Sequence, residues 1–181
     1  MLRSLLLALV ISCAADAAEP TLNVRYVDAM ASLQPPFTMR RAVSGAETIY
    51  QGEVGTALLT IHVRGDLVSK AELQLVDATV PDKDTGANYL RDFTIRGHFL
   101  TNVLPSWRAA ALRWTDETIH TLSPDAIAGR PQSRTTARDG AELRLDLSSA
   151  GTQNGHPAMR VILTAQPEFR RTPLTTPGPR F

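Results

Sequence analysis

Apolar and polar residues alternate along much of this chain, the pattern of β-strands that bury one face. Leu59, Ile61 and Val63 would share the buried face of one strand, and Gly65 and Asp66 after it mark a hairpin turn. Further segments alternate around Leu22, Val24 and Tyr26, around Ala71, Leu73 and Leu75, around Phe93, Ile95 and Phe99, around Leu143, Leu145 and Leu147, and around Met159, Val161 and Leu163. The pattern therefore predicts a chain built mainly of short strands.

Two connections are predicted where the alternation stops. Residues 30–46 contain adjacent prolines and a serine–glycine pair, and are expected to be irregular. Further along, Ser123 and Pro124 are typical of a helix start, and Gly129 is typical of a helix end. One short helical turn is expected there.

Residues 107–122 fit two different structures. Trp107, Ala111 and Trp114 recur at helical spacing, which would place them on one side of a helix. Alternatively, the stretch forms two short strands that turn at Asp116. The hairpin is the preferred interpretation, and the helix stays open.

Seven or eight short strands separated by turn residues predict an all-β protein. The arrangement that they favour is a single antiparallel β-sandwich, immunoglobulin-like in general shape, with one short helical turn. Helical patterns between strands are too rare for a parallel α/β sheet. We expect this domain to span residues 18–166 and to be followed by a flexible tail rich in Pro, Thr and Arg at residues 167–181.

The N-terminus has the order of a secretory signal peptide. Arg3 precedes a short apolar run at residues 5–11 and a group of small residues. Removal of residues 1–17 after an A-x-A sequence would give a periplasmic or secreted protein. Alternatively, residues 1–12 are removed and Cys13 is lipidated, which would give an outer-membrane lipoprotein attached to the membrane only by that anchor. Both interpretations predict export.

Composition and charge exclude several classes of protein. The chain has 181 residues, of which 43% are hydrophobic and 20% charged, and its net charge is +1, so it lacks the basic excess of a nucleic-acid binder. Cys13 is the only cysteine, so either processing route leaves no disulfide and no thiolate nucleophile. The sequence contains no G-x-x-x-x-G-K-[ST] loop, no H-E-x-x-H helix and no G-x-S-x-G elbow. We therefore predict no cofactor.

Aromatic and basic side chains that would bind a partner concentrate in one short stretch. One of Trp107 and Trp114 is expected in the core. The other, with Arg108 and Arg113 nearby, would stack on a sugar or on a partner protein. These four residues are the predicted binding set.

Histidines and carboxylates supply the remaining candidates. His62, His98 and His120 lie in strand-like segments and are weak candidates for a copper or zinc site, because none has a partner at a short ligand spacing. A hydrolase would need a pocket that contains two or more of these histidines, Asp92 and Asp116.

No nucleophile–base pair is evident in the sequence. The preferred hypothesis is therefore an exported, non-catalytic binding or assembly module of the bacterial cell envelope that acts through protein–protein contacts. The expected partner is an envelope protein and not a nucleic acid. The alternatives are a periplasmic hydrolase that uses carboxylate and histidine residues, or a histidine-based metal carrier.

Overall fold

A computed structural model describes residues 20–31, 33, 35–78, 86–153 and 155–168. Its elements in chain order are α1 (Tyr26–Met30), β1 (Thr38–Ser44), β2 (Glu47–Val54), β3 (Ala57–Arg64), β4 (Leu67–Ala78), α2 (Gly86–Val103), a 3₁₀ turn (Pro105–Trp107), α3 (Ala109–Ile127), β5 (Gln132–Arg138), β6 (Ala141–Gln153) and β7 (His156–Pro167). The predicted signal peptide with Cys13, and the predicted tail beyond residue 168, lie outside the described residues.

The seven strands pair antiparallel in one sheet, in the order β1-β2-β3-β4-β7-β6-β5. Hairpins connect β1 to β4 in succession and β5 to β7 in succession, and the pairing of β4 with β7 joins the two runs. The structure is thus mostly antiparallel β, as predicted. The predicted sandwich is not confirmed, because α2 and α3 cover the sheet face on which a second sheet was expected.

The hydrophobic core lies between that face and the helices. On β3, Leu59, Ile61 and Val63 are buried, whereas the residues between them are half-exposed. Leu163 of β7 lies opposite both Leu73 of β4 and Leu145 of β6, and all three are fully buried. The predicted alternation is therefore confirmed in β3, β4, β6 and β7, and so is the hairpin turn between β3 and β4.

The strand predicted around Phe93 is wrong, because these residues belong to α2. The buried residues of α2 recur every three or four positions: Asp92, Ile95, Arg96, Phe99, Leu100 and Val103. This spacing is the stripe of a helix packed on a core. Because Asp92 and Arg96 are charged, the stripe is not apolar throughout, and the helical pattern in the sequence is weak. The three apolar residues of the predicted strand instead fit the period-two spacing of a strand.

The preferred hairpin at residues 107–122 is also wrong, and the helical alternative is confirmed by α3. Ala111, Thr115 and Ala126 face the core, and these small side chains let the helix lie close to the sheet. Thr115 satisfies its buried hydroxyl by donating a hydrogen bond to the carbonyl of Ala111 at 2.8 Å. Leu122 is buried as well, and Trp114 packs against the core, so the helix packs through both small and large apolar side chains.

Two more sequence predictions need correction at the ends of elements. Ser123 and Pro124 lie within the last turns of α3 and do not begin a separate helix, although the chain does leave the helix at Gly129, whose φ is 82°. The connection predicted at residues 30–46 contains the whole of β1. The predicted first strand is reduced to a single antiparallel bridge between Arg25 and Leu67, because α1 begins at Tyr26.

The buried carboxylate of Asp92 connects α2 to the turn between β2 and β3. Asp92 is only 2% exposed, and its carboxylate lies 2.9 Å from the guanidinium of Arg91 and 3.3 Å from the hydroxyl of Thr56 in that turn. Gly55 precedes Thr56 with φ 59°, and a Cβ atom there would lie 2.5 Å from Nη1 of Arg91. The turn therefore favours glycine for its backbone conformation, and the end of the Arg91 side chain would have to move to admit a Cβ atom.

A second ion pair joins α2 to α3. The guanidinium of Arg96 donates a hydrogen bond to the carboxylate of Asp116 at 2.8 Å, and its central carbon lies 5.3 Å from the centre of the Phe93 ring. Arg96 is buried, and its Nε is the buried side-chain atom without a hydrogen-bond partner among the described residues. Both acidic candidates of the sequence, Asp92 and Asp116, thus hold helices in place.

Candidate functional site

The four predicted binding residues divide into one buried and three accessible side chains. Trp107 is buried, and its indole N–H donates a hydrogen bond to the carbonyl of Arg138 at 2.9 Å. Arg108 and Arg113 are exposed, and Trp114 is half-buried. Trp107 is therefore the core tryptophan that the sequence predicted, and Trp114 is the one that a partner can reach.

Trp114 lies in a groove between α3 and the edge strand β5, which we call the α3–β5 groove. The groove has a volume of about 390 Å³. Its lining consists of Trp114, Glu117, Thr118, Thr121 and Leu122 from α3 and Arg134 and Thr135 from β5. The α3 residues recur at intervals of three and four, so they form one stripe along the helix beside the strand.

The β5 strand borders this groove with an unpaired backbone. It is the last strand of the sheet, so its outer edge pairs with no strand in the described part of the chain. An edge strand directs every second N–H and C=O away from the sheet. Arg134 lies opposite Leu145 of β6, which places its side chain on the same sheet face as α3. Backbone hydrogen-bonding groups and groove side chains therefore adjoin one another.

A second cluster lies on the outer face, the sheet face that points away from α2 and α3. Glu47 of β2 accepts hydrogen bonds on Oε1 from the guanidinium of Arg64 at 2.7 Å and from the hydroxyl of Ser69 at 2.9 Å. Its Oε2 lies 3.2 Å from Nδ1 of His62. These residues and Lys70 border a cleft of about 330 Å³. We call this group the Glu47 cluster.

A bulge in β4 brings Ser69 to the outer face. The register between β3 and β4 shifts at His62 and Val63, and Ser69 is left without an opposite residue. The pattern of the sequence does not predict a role for Ser69 or Glu47. The available signal was a gap of three between the apolar residues Val68 and Ala71, where the alternation elsewhere has a gap of two.

The contacts of the cluster keep Glu47 ionised. Burial opposes the charged form, but the hydrogen bonds from Ser69 and His62 and the charge of Arg64 outweigh it, and they lower the pKa of Glu47 below its ordinary value of 4.5. A carboxylate with a lowered pKa is a weak base, and Ser69 donates its proton to this carboxylate and not to His62. The cluster therefore does not have the geometry of a serine activated by histidine.

The lowered pKa of Glu47 predicts a dependence of stability on pH. The cluster stabilises the folded state fully above pH 4.5, and this contribution is lost as the pH falls through the folded pKa. The wild type should therefore be more stable than Glu47→Gln at neutral pH, and the difference should shrink in acid. Urea unfolding of both proteins from neutral pH down to about pH 3 measures this difference. A constant difference over that interval would contradict the assignment.

The structure does not bring the other chemical candidates together. His62 is on β3, His98 on α2 and His120 on α3. Within the described ranges, no group of three or more His, Cys, Asp or Glu side chains is placed to hold a metal ion. Asp92 and Asp116 are paired with arginines on the helix side of the sheet, away from His62 on the outer face. His62 is therefore separated from the two aspartates by the sheet, and the three histidines come from three different elements.

Two observations complete the description. Over the residues that the structure describes, no helix combines the length and apolarity needed to cross a bilayer. No protein-family model, no curated protein and no solved structure matches the chain.

Proposed function

We propose that this chain is an exported, non-catalytic binding or assembly module of the bacterial cell envelope that acts through protein–protein contacts. The observation that carries the proposal is the open sheet, in which the edge strands β1 and β5 are exposed and their outer edges pair with no described strand. An unpaired edge offers backbone donors and acceptors to the strand of another protein. The N-terminal sequence supports export.

The ion pairs of the molecule support a role without catalysis. Three of its acidic side chains are each matched by an arginine at hydrogen-bond distance: Glu47 by Arg64, Asp92 by Arg91 and Asp116 by Arg96. Asp92 and Asp116 connect elements of the fold through these contacts, and Glu47, whose pKa is lowered, is a weak base.

The Glu47 cluster favours a second candidate function, a hydrolase. The Glu47 carboxylate lies within hydrogen-bond distance of both Ser69 and His62, beside a cleft. In such an enzyme the Ser69 hydroxyl would attack and Glu47 would accept its proton. The lowered pKa of Glu47 works against that step, so we rank this function second.

Affinity purification of the tagged full-length chain from its native envelope tests the proposal. We expect a stoichiometric protein partner that is lost when one edge strand is altered, by Arg41→Glu on β1 or by Arg134→Glu on β5. The double variant Ser69→Ala, His62→Ala should retain the partner. Retention of the same partner by both edge variants would refute the proposal, and so would recovery of no partner. Hydrolysis that disappears in the double variant would instead favour the enzyme.

A further inference from the structure

We infer that the α3–β5 groove binds an extended, acidic segment of a partner protein, which adds to β5 as an eighth strand of the sheet. The inference rests on the proposed function and specifies which edge is used and which chemistry it recognises. It combines three properties of one place: an unpaired strand edge, an adjoining groove and a free cation.

The backbone of β5 supplies the first property. The outward N–H and C=O groups of Gln132–Arg138 have no strand partner in the described part of the chain. An extended peptide that satisfies them gains main-chain hydrogen bonds without a specific sequence. Because β5 is already paired with β6 over its whole length, its outer edge is preorganised for the addition of another strand.

The groove supplies pockets for alternate side chains of such a peptide. Side chains of an added strand point alternately to the two sheet faces, so every second one would enter the space beside α3. There, Trp114 and Leu122 offer apolar surface, and Thr118 and Thr121 offer hydroxyl groups. A groove with this mixed lining suits a strand that presents apolar and polar residues in turn.

The charges of β5 indicate the sign of the charge that the partner segment carries. The strand contains Arg134 and Arg138 and no acidic residue, and the two arginines lie on the same sheet face because they are four positions apart. Arg138 pairs with Asp139 at 3.3 Å, so the argument depends on Arg134. Arg134 lines the groove, and it forms no ion pair with any described residue. Opposite charges on directly paired strands attract one another. Glu117 of α3 also lines the groove, so an acidic residue is favoured opposite Arg134 and an uncharged one next to Glu117.

The other edge lacks this combination. A cleft also borders β1, but its lining residues come only from β1, β2 and β3, and it lies on the outer face. Like the α3–β5 groove, that cleft contains one arginine and one glutamate, Arg40 and Glu53, so the two edges differ in the helix beside the strand and not in the local charge. The β1 edge therefore provides a matched control, because Arg41 is an exposed arginine on an edge strand and lies outside the α3–β5 groove.

Fluorescence anisotropy with a labelled synthetic peptide tests the inference. In the probe every second residue is threonine, and the residues between them alternate between glutamate and valine; a second probe has lysine in place of glutamate. We expect the full-length chain to bind the glutamate probe and Arg134→Glu to bind it at least about tenfold more weakly. Arg41→Glu should bind it as the wild type does. Arg134→Glu should gain affinity for the lysine probe, which loss of structure alone would not produce.

Hydrogen exchange identifies the mode of binding. When the glutamate probe is bound, every second backbone amide of Gln132–Arg138 should exchange more slowly, because an added strand pairs with alternate residues. Absence of binding, equal weakening by Arg41→Glu, or binding without protection of these amides would each overturn the inference. If an envelope partner is captured and Arg134→Glu retains it while Arg41→Glu does not, the proposed function stands and only the choice of this groove fails.

Discussion

Replacing Asp92 with alanine should lower the free energy of unfolding by about 3 kcal/mol. Asp92 is 2% exposed and accepts contacts from Arg91 and Thr56. Its removal leaves the Arg91 guanidinium next to Gly55 without its counter-charge, and leaves the Thr56 hydroxyl without one of its acceptors. Since Arg91 is 24% exposed, water screens part of its charge, and the loss should fall at the low end of that for buried pairs. The midpoint and slope of urea unfolding measure it.

A matched control is available on the surface. Asp125 pairs with Arg130, but both side chains are at least half-exposed. Asp125→Ala should therefore change the stability by about 1 kcal/mol or less. Comparable losses in Asp92→Ala and Asp125→Ala would show that the contact between α2 and the β2–β3 turn contributes little. A change in the slope for Asp92→Ala alone would indicate that the turn has opened in the folded state.

Two phenylalanines of α2 should respond very differently to the same substitution. Phe99 is 1% exposed and among the largest fully buried side chains, so Phe99→Ala should cost about 3–5 kcal/mol through lost burial and the cavity that remains. Phe93 is 39% exposed and contacts Arg96 through its ring, so Phe93→Ala should cost about 1 kcal/mol or less. Urea unfolding of both variants measures the contrast.

The comparison of these two substitutions also distinguishes the helix α2 from the strand that the sequence predicts for the same residues. In a strand, Phe93 and Phe99 would share one face and would be buried alike. In α2 they lie on different faces, because the buried stripe includes Phe99 and omits Phe93. Equal losses would contradict the helix. If Phe99→Ala does not fold, Phe99→Leu should still cost about 1.5 kcal/mol, which exceeds the effect expected for Phe93→Leu.

The sequence predicts the centre of the sheet well, for a physical reason. The strands β3, β4, β6 and β7 have neighbours on both sides, and wherever they face the core nearly every second residue is apolar. β2 also has two neighbours, but only Gly52 in it is buried, and it carries no such pattern. The turn at Gly65 is equally readable, because its φ of 64° favours glycine. Elements whose burial is regular leave a regular pattern in the chain.

The helices and edges are less predictable because other forces place them. The α2 stripe includes Asp92 and Arg96, whose burial depends on partners distant in the chain. The α3 stripe uses small residues such as Ala111, which carry little hydrophobic signal. The edge strand β5 is polar because it is exposed. None of these elements has the strict apolar alternation on which the strand prediction relied.

The candidate site can be predicted only in part from the sequence, for a similar reason. Trp114 was singled out as an aromatic residue next to arginines, but its neighbour in the groove, Arg134, comes from a strand that the pattern did not predict. Likewise, Glu47 and Ser69 meet only because β2, β3 and β4 pair in a particular register with a bulge. Residues that converge through strand pairing cannot be matched before the sheet order is known.

The way in which the sheet is joined has a consequence for how the molecule folds. The hairpins of β1 to β4 and those of β5 to β7 close over short stretches of chain, whereas Leu73 and Leu163, which meet where β4 pairs with β7, are separated by both long helices. Bringing such distant residues together costs more chain entropy than closing a hairpin. We therefore expect each half of the sheet to form early, and the meeting of the two halves along β4 and β7, with the helices docking over that junction, to be the slow step.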